Sequence, residues 1–392
     1  MDSLMTIIVA ITVVLSISLT VLILIFYGNK KIEGRYPLGM FSFVAVLFCS
    51  GLDIAIITYP LTEFPIFESD SIYDFAHPLA IEIGFWGFII WSFYFLTAFY
   101  FLFIEPKLKL FEIPWVKFIN NLVIMATCAY GGYVLLTSIP IYLADVPDWA
   151  PLVITATVIV VACYSASDLI FMKWLSIASM WSLFLLTVGL WFHSGGDVAV
   201  LGSTLSHYSD YVENIYRFII PFSDYHEFYL LWWFAWSIMI GQFMSKFATR
   251  TTVKMLFVLM VLFPSIPLSI WFAVLYIFHA GSIEISPFWN TAMIVVGIVF
   301  VINTFDSLIR LYTDSLNITT KRFGRLNYVV MNIIIMSCLT IAYAYLGLEM
   351  EMVGVTVVFL YGVIYFNVIR RRKEVFDDLS CEHVNEIIKP YK

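Results

Sequence analysis

YHEFYLLWWFAWSIMIGQFMSKFATRTTVK, residues 225–254, starts as an apolar helix and ends basic and polar. That polarity suits a helix leaving lipid for cytoplasm. Trp232, Trp233 and Trp236 fall within five positions. At about 100° per residue, Trp232 and Trp236 lie about 40° apart, and Trp233 about 60° from Trp236. Phe243 returns to within about 20° of Trp236. One face of this helix is therefore lined with rings. Belt tryptophans sit at membrane interfaces, whereas Trp236 and Phe243 lie well inside the segment. Two readings stay open. The rings pack against other helices, or they form a wall for a quaternary ammonium, whose donor-free charge is held by ring quadrupoles.

The surrounding chain is 392 residues, 61% hydrophobic and 12% charged. Charge is too sparse to cover a soluble domain. Apolar runs of about 20 residues indicate helices rather than a barrel. The expected class is an all-α polytopic membrane protein of about eleven spans: 5–28, 39–60, 79–104, 115–143, 151–171, 174–193, 226–247, 252–279, 288–312, 326–346 and 350–370. The first run is too long for a signal-peptide core and no small-residue cleavage site follows it, so it is kept as a span. Cys49, Cys128, Cys163, Cys338 and Cys381 have no metal or disulfide spacing. No nucleotide-binding loop, zinc spacing or nucleophile elbow occurs, so neither an enzyme nor a nucleic-acid partner is expected.

The connections alternate in charge. Lys30, Lys31, Arg35, Lys107, Lys109, Lys117, Lys173 and Lys246 share one side with Arg250, Lys254, Arg310 and the later basic residues. Glu63, Glu68, Asp70, Asp74, Asp145, Asp148, Asp197, Asp210, Glu284, Glu349 and Glu351 fall on the other. Twenty of the 21 Lys and Arg lie on one side, with Arg217 opposite. The positive-inside rule then places the N-terminus outside and the C-terminus in the cytoplasm of a plasma (inner) membrane protein.

Residues 204–219 read as an amphipathic outer helix, with Tyr208, Tyr211, Val212, Ile215, Tyr216 and Ile219 on one face. Five spans precede it, after the first, and five follow. Because five is odd, the two groups enter the membrane in opposite senses, as in transporters built from inverted repeats. The expected organisation is an extra N-terminal helix and basic loop (1–38), a first five-helix unit (39–200), an outer connection (201–224), a second five-helix unit (225–371) and a cytoplasmic tail (372–392).

Several polar residues stand inside spans. Ser50-Gly51-Leu52-Asp53, with Pro60 beyond, is a place for a helix to loosen and expose carbonyls. Asp53 is either functional or a structural aspartate held by a hydroxyl such as Ser50. Trp86, Trp91 and Tyr94 cover an arc of about 140° on a continuous helix, which reads as packing. Asn303-Thr304-Phe305-Asp306-Ser307 suits either a hard cation held by oxygens or interhelical hydrogen bonds. Asp306 is expected to pair with Arg310 at i,i+4, and Asp168 to be structural.

These residues together resemble the betaine/choline/carnitine transporter family. Its eighth helix, approximately FYWAWWISW then G-x-F and a basic link, is similar to residues 228–236, Gly241-Gln242-Phe243 and 246–254. Trp86, Trp91 and Tyr94 follow its W-x4-W-x2-Y box, residues 51–63 its glycine-rich helix, Lys173-Trp174-Leu175-Ser176 its K-W-L-S, and residues 303–307 its T-S-A-D-S. The matches keep family order over about residues 20–320. The resemblance implies the inverted five-plus-five bundle, a homotrimer in lipid, and a small quaternary-ammonium substrate. Trp86, Trp91, Tyr94, Trp233 and Trp236 would form its cage, with Trp232 and Phe243 supporting or gating it. It further implies a sodium site at Gly51, Leu52, Phe300, Asn303 and Thr304, or proton coupling, with no other cofactor.

The family has twelve helices, and the eleven here leave its first without a counterpart. Its G-x-G-x-G/D reads Gly51-Leu52-Asp53-Ile54-Ala55, and Asn303-Thr304 stand where sodium-coupled members have two hydroxyl residues. The expected function is secondary transport of choline, betaine or carnitine by alternating access. A membrane sensor that binds the same ligands without moving them is the alternative. On a continuous helix Asp53 would turn away from the cage; if the segment unwinds at Gly51 it faces the ligand, favouring choline over betaine.

Overall fold

The computed structural model describes residues 3–143 and 146–373. Asp145, Cys381, Lys389, Lys392 and all but the first two residues of the expected tail lie outside them. The helices, in order, are α1 (Ser3–Tyr27), α2 (Met40–Ser50), α3 (Ala55–Ser69), α4 (Pro78–Trp86), α5 (Ile89–Phe99), α6 (Glu105–Leu108), α7 (Pro114–Tyr142), α8 (Ala150–Ser165), α9 (Leu169–His193), α10 (Val198–Ser206), α11 (Ser209–Glu213), α12 (Asp224–Phe247), α13 (Val253–Phe257), α14 (Phe263–Ala280), α15 (Pro287–Ser315), α16 (Thr320–Phe323), α17 (Arg325–Tyr345) and α18 (Met350–Arg370). Two short strands, β1 (Lys31–Ile32) and β2 (Thr251–Thr252), pair antiparallel.

Among the described residues, eight helical runs are long and apolar enough to cross a membrane, or nine if α2 and α3, bent by 55°, form one span. The chain is thus an all-helical, multi-pass membrane protein. The remaining two of the eleven expected spans are also helices. The apolar α8 has only 16 residues. The 24-residue α12 is rich in tryptophan and tyrosine, whose polar tips lower its apolarity.

α12 is nonetheless the centre of the bundle, buried along most of its length. It packs most extensively on α5 and α18, and touches α2, α7 and α15. In lipid there is little water to expel, so helices are held by close packing and interhelical hydrogen bonds. At one such approach, a Cβ on Gly354 of α18 would lie 2.5 Å from the Leu231 carbonyl oxygen of α12.

The structure breaks two elements expected to be continuous. The span at 79–104 is interrupted by Gly87 and Phe88, between α4 and α5. Phe88 has φ 37°, uncommon for a bulky residue. Its N–H donates to Ser265 Oγ of α14 at 2.9 Å, and the Trp91 indole N–H caps the Trp86 carbonyl at 3.0 Å. Partners supplied from other turns and helices thus replace the lost helical bonds. The run continues through a π-helical turn at Tyr100–Ile104, and a second such turn spans Val258–Leu262. Pro106 and Pro264 follow them; each lacks an N–H and crowds the carbonyl four residues back, inside the turn. The outer segment at 204–219 is also not one helix. It divides into the end of α10, α11 and a 3-10 turn at Ile215–Ile219. Phe218 is buried against Gly84 of α4, while Val212, Ile215 and Tyr216 stay exposed. Packing on α4 has overridden the local periodicity.

Contacts at the two ends group the connections. Lys246 pairs with Asp314 at 3.1 Å, Lys254 Nζ donates to Asn29 at 2.9 Å, and Arg325 donates to Ser167 at 2.9 Å. These residues fall on the basic side of the expected alternation. At the other end, His279 meets Glu68 at 2.9 Å and the His77 N–H donates to Asp210 at 3.0 Å.

His77 caps α4: its Nδ1 accepts from the Leu79 N–H at 3.2 Å, and its ring stacks on His207 at 3.8 Å. Burial, and then the neighbouring His207, lower its pKa to about 4. The folded state therefore binds fewer protons than an unfolded chain, whose histidine titrates near about 6.5. Stability contributed by neutral His77 is present above about 6.5 and is lost as pH falls toward 4. Thermal unfolding of the wild type and of His77→Asn, which keeps a capping side chain, should show a smaller acid-induced drop in Tm for the variant. Equal drops would assign the acid sensitivity elsewhere.

Candidate ligand site

The ring-bearing residues come from three elements. α4 ends in Trp86, α5 carries Trp91 and Tyr94 on its first turns, and α12 carries Trp232, Trp233 and Trp236. All six are at most 1% exposed. Trp86 stands edge-on to Trp233 and Trp232, with centroids 5.2 and 5.6 Å away. Trp232 and Trp233 are nearly parallel at 5.6 Å. Tyr94 reaches Trp233 at 6.2 Å and Trp91 at 5.0 Å. Such edge-to-face and offset arrangements are those favoured by ring quadrupoles. The Trp233 indole N–H donates to the Phe85 carbonyl at 2.7 Å, tying α12 to the last turn of α4. The helical-wheel arc across Trp86, Trp91 and Tyr94 does not apply, because Gly87 and Phe88 break the helix between Trp86 and the other two.

Two expected members lie apart from this cluster. Trp236 is buried, with its indole N–H unpartnered, but it is not among the stacked rings. Phe243, two turns beyond Trp236, packs its ring on Phe247 at 5.0 Å. Tyr59 and Tyr130 extend the cluster instead, 6.1 and 5.3 Å from Trp232.

The unwound stretch at 51–54 separates α2 from α3. A Cβ on Gly51 would lie 3.1 Å from Tyr94 and 3.2 Å from Trp91, so glycine lets this backbone lie directly on the box. The Tyr94 hydroxyl donates to the freed Gly51 carbonyl at 3.2 Å. Asp53 is 1% exposed. Its Oδ1 accepts from the Ala55 N–H at 2.9 Å, starting α3, while Oδ2 has no partner. Tyr59, Tyr94 and Tyr130 lie within electrostatic reach of it. Ser50 does not hold Asp53; its hydroxyl pairs with Ser307 at 2.8 Å.

Of the five residues expected to hold sodium, Leu52 and Thr304 converge. Thr304 Oγ1 donates to the Leu52 carbonyl at 2.6 Å and approaches that of Cys49 at 3.3 Å. The Gly51 carbonyl serves Tyr94, Asn303 Oδ1 accepts from Ser176 at 3.0 Å, and the Phe300 ring lies 6.1 Å from Phe48. The Thr304 hydroxyl thus bridges two carbonyl oxygens at the unwound stretch, those of Cys49 and Leu52. Asp306 forms the expected pair with Arg310, through Nη2 at 2.9 Å and Nε at 3.0 Å. Arg310 also donates to the Ser165 carbonyl at 2.8 Å and to that of Asp168, so this cluster ties α15 to the end of α8.

Glu63 and Glu82 are the residues that reading the sequence missed. Glu63, assigned to an outer loop, lies inside α3 at 1% exposure, and Glu82 inside α4 at 0%. The signal for Glu82 was present, since an ionisable residue in an apolar run is a functional candidate by default. Glu63 accepts hydroxyl hydrogen bonds from Tyr225 and Tyr229. Tyr229 also packs on Trp86 at 5.5 Å, linking this carboxyl to the ring cluster.

No protein-family model matches the chain, and no curated protein matches it.

Proposed function

We propose that the chain is a secondary transporter of a quaternary-ammonium compound, of the betaine/choline/carnitine type, working by alternating access. The observation carrying this reading is the meeting of three features at one buried place: a tryptophan cluster, an unwound backbone lying on it, and a carboxylate with one free oxygen. A trimethylammonium group offers no hydrogen-bond donor and suits ring faces, each worth about 0.5–2 kcal/mol when desolvated. The rings touch one another, so a ligand enters only as they part. The breaks at 51–54 and at Gly87 and Phe88 are where α2, α3, α4 and α5 can move separately. Eleven crossings in an inverted five-plus-five arrangement, N-terminus outside, agree with the way basic connections meet basic connections at one end. The deciding experiment is uptake of labelled choline, betaine and carnitine into proteoliposomes, with and without a sodium gradient. Accumulation of at least one is expected; saturable binding without uptake would make the protein a sensor.

Asp53 sets the preference within that class. An ionised carboxylate beside the cage favours a ligand that is only cationic and repels a ligand carboxylate. Asp53→Asn keeps an oxygen that can accept from the Ala55 N–H, so the fold is expected to survive. Choline affinity should fall on the order of tenfold while betaine affinity holds or rises. A choline preference that competition binding finds unchanged removes Asp53 from the site.

A further inference from the structure

Glu63 and Glu82 face each other across the packed elements α3 and α4, with their carboxyls within hydrogen-bonding reach. Glu63 Oε2 and both oxygens of Glu82 have no other partner, and all are buried. A carboxylate only accepts hydrogen bonds. Two facing acceptors are satisfied together only when a proton lies between them. Beside them the Trp86 indole N–H is also buried and unpartnered, near Glu63.

The titratable groups around the pair are Tyr59 of α3, Tyr73 after it, Tyr142 of α7, Tyr208 of the outer segment, and Tyr225 and Tyr229 of α12. These phenols are neutral below about pH 10. His226 of α12 has its ring on Phe85 at 5.0 Å. Among the described residues no lysine, arginine or histidine forms an ion pair with either carboxyl.

We infer that Glu63 and Glu82 form a proton-binding site, whose shared proton is released to solvent when a quaternary ammonium enters the ring cluster. Trp86 connects the two places. It stands four residues after Glu82 on α4, touches Tyr229, and forms the edge of the cluster. A cation among the rings stabilises the extra negative charge left on the pair, and by linkage the charge strengthens cation binding. Tyr225, partly exposed at the start of α12, connects Glu63 to the aqueous end of the bundle. The coupling is therefore exchange of one proton for one ligand cation.

The inference rests on the proposed ligand class, and its test separates the two. Choline is added to purified wild-type protein, Glu82→Gln and Glu63→Gln in weakly buffered solution, and proton release and affinity are measured across pH. The wild type should release about one proton per choline, with affinity rising about tenfold per pH unit on the acidic limb. Both variants should bind choline with a flat pH profile and release none. Proton release that persists in a folded variant, or wild-type binding without proton exchange, overturns the inference. If no quaternary ammonium binds at any pH, the ligand reading fails, and infrared spectroscopy of the ligand-free protein judges the pair. A protonated-carboxyl band that titrates in the wild type and is lost in both variants upholds the site; its absence from the wild type removes it.

Discussion

Replacing Trp233 by alanine is expected to weaken choline binding by roughly 30-fold. One desolvated cation–π contact contributes about 2 kcal/mol, which corresponds to that factor. Trp233 is the member of the cluster whose ring meets Trp86, Trp232 and Tyr94 together. Its loss also frees the Phe85 carbonyl, which Trp233 holds at 2.7 Å. The substitution will cost stability as well, about 3–5 kcal/mol for a large aromatic truncated in a packed interior. Affinity must therefore be measured on the folded fraction, with ligand-free Tm as the control. Trp233→Phe separates the two effects: it keeps a ring face of weaker quadrupole but loses the indole hydrogen bond. It should bind more tightly than the alanine variant. Trp236→Ala, on the same helix but outside the stacked rings, should lose less. Normal choline affinity in folded Trp233→Ala would reduce the cluster to packing.

The legible parts of this protein were those with a local cause. Long apolar runs marked the helices, and the i,i+4 spacing of Asp306 and Arg310 foretold a pair that the structure forms through two nitrogens. The unwinding after Ser50 was also local, announced by glycine and aspartate in mid-span. The break after Trp86 was not. A single glycine in an apolar run gives little warning, and Phe88 is held at positive φ with help from Ser265, 177 positions away. The outer helix failed for the same reason, because Phe218 turns in to cover Gly84. Glu63 was misplaced because the expected span stopped at residue 60, whereas α3 continues through Pro60 and Pro65 to Ser69. The ring residues could be named from sequence alone. Their mutual geometry, and the exclusion of Phe243 from it, depended on breaks that only tertiary contacts create.

Gly241→Val is expected to prevent the two halves of the cluster from assembling. A Cβ at Gly241 would lie 2.1 Å from Thr97 Oγ1, 2.5 Å from Thr97 Cβ and 2.7 Å from the Ala98 backbone nitrogen. The last of these is main chain and has no rotamer to escape by. Thr97 cannot swing away freely either, because its hydroxyl donates to the Ser237 carbonyl at 2.6 Å. That hydrogen bond and the bare glycine are how α5 and α12 come close enough for Tyr94 to reach Trp233. Overpacking a well-packed interior costs about 1–3 kcal/mol even where side chains can adjust; against backbone the helices themselves must separate. Gly241→Val should therefore lower Tm sharply or yield no monodisperse protein. Gly241→Ala should fall between it and the wild type, and its folded fraction should show weakened choline binding. Gly362 of α18 is the control, since a Cβ there meets nothing within 4 Å. Gly362→Val should fold and bind like the wild type. If Gly241→Val matched that control in Tm and affinity, the close approach of α5 and α12 would not be what holds the ring cluster together.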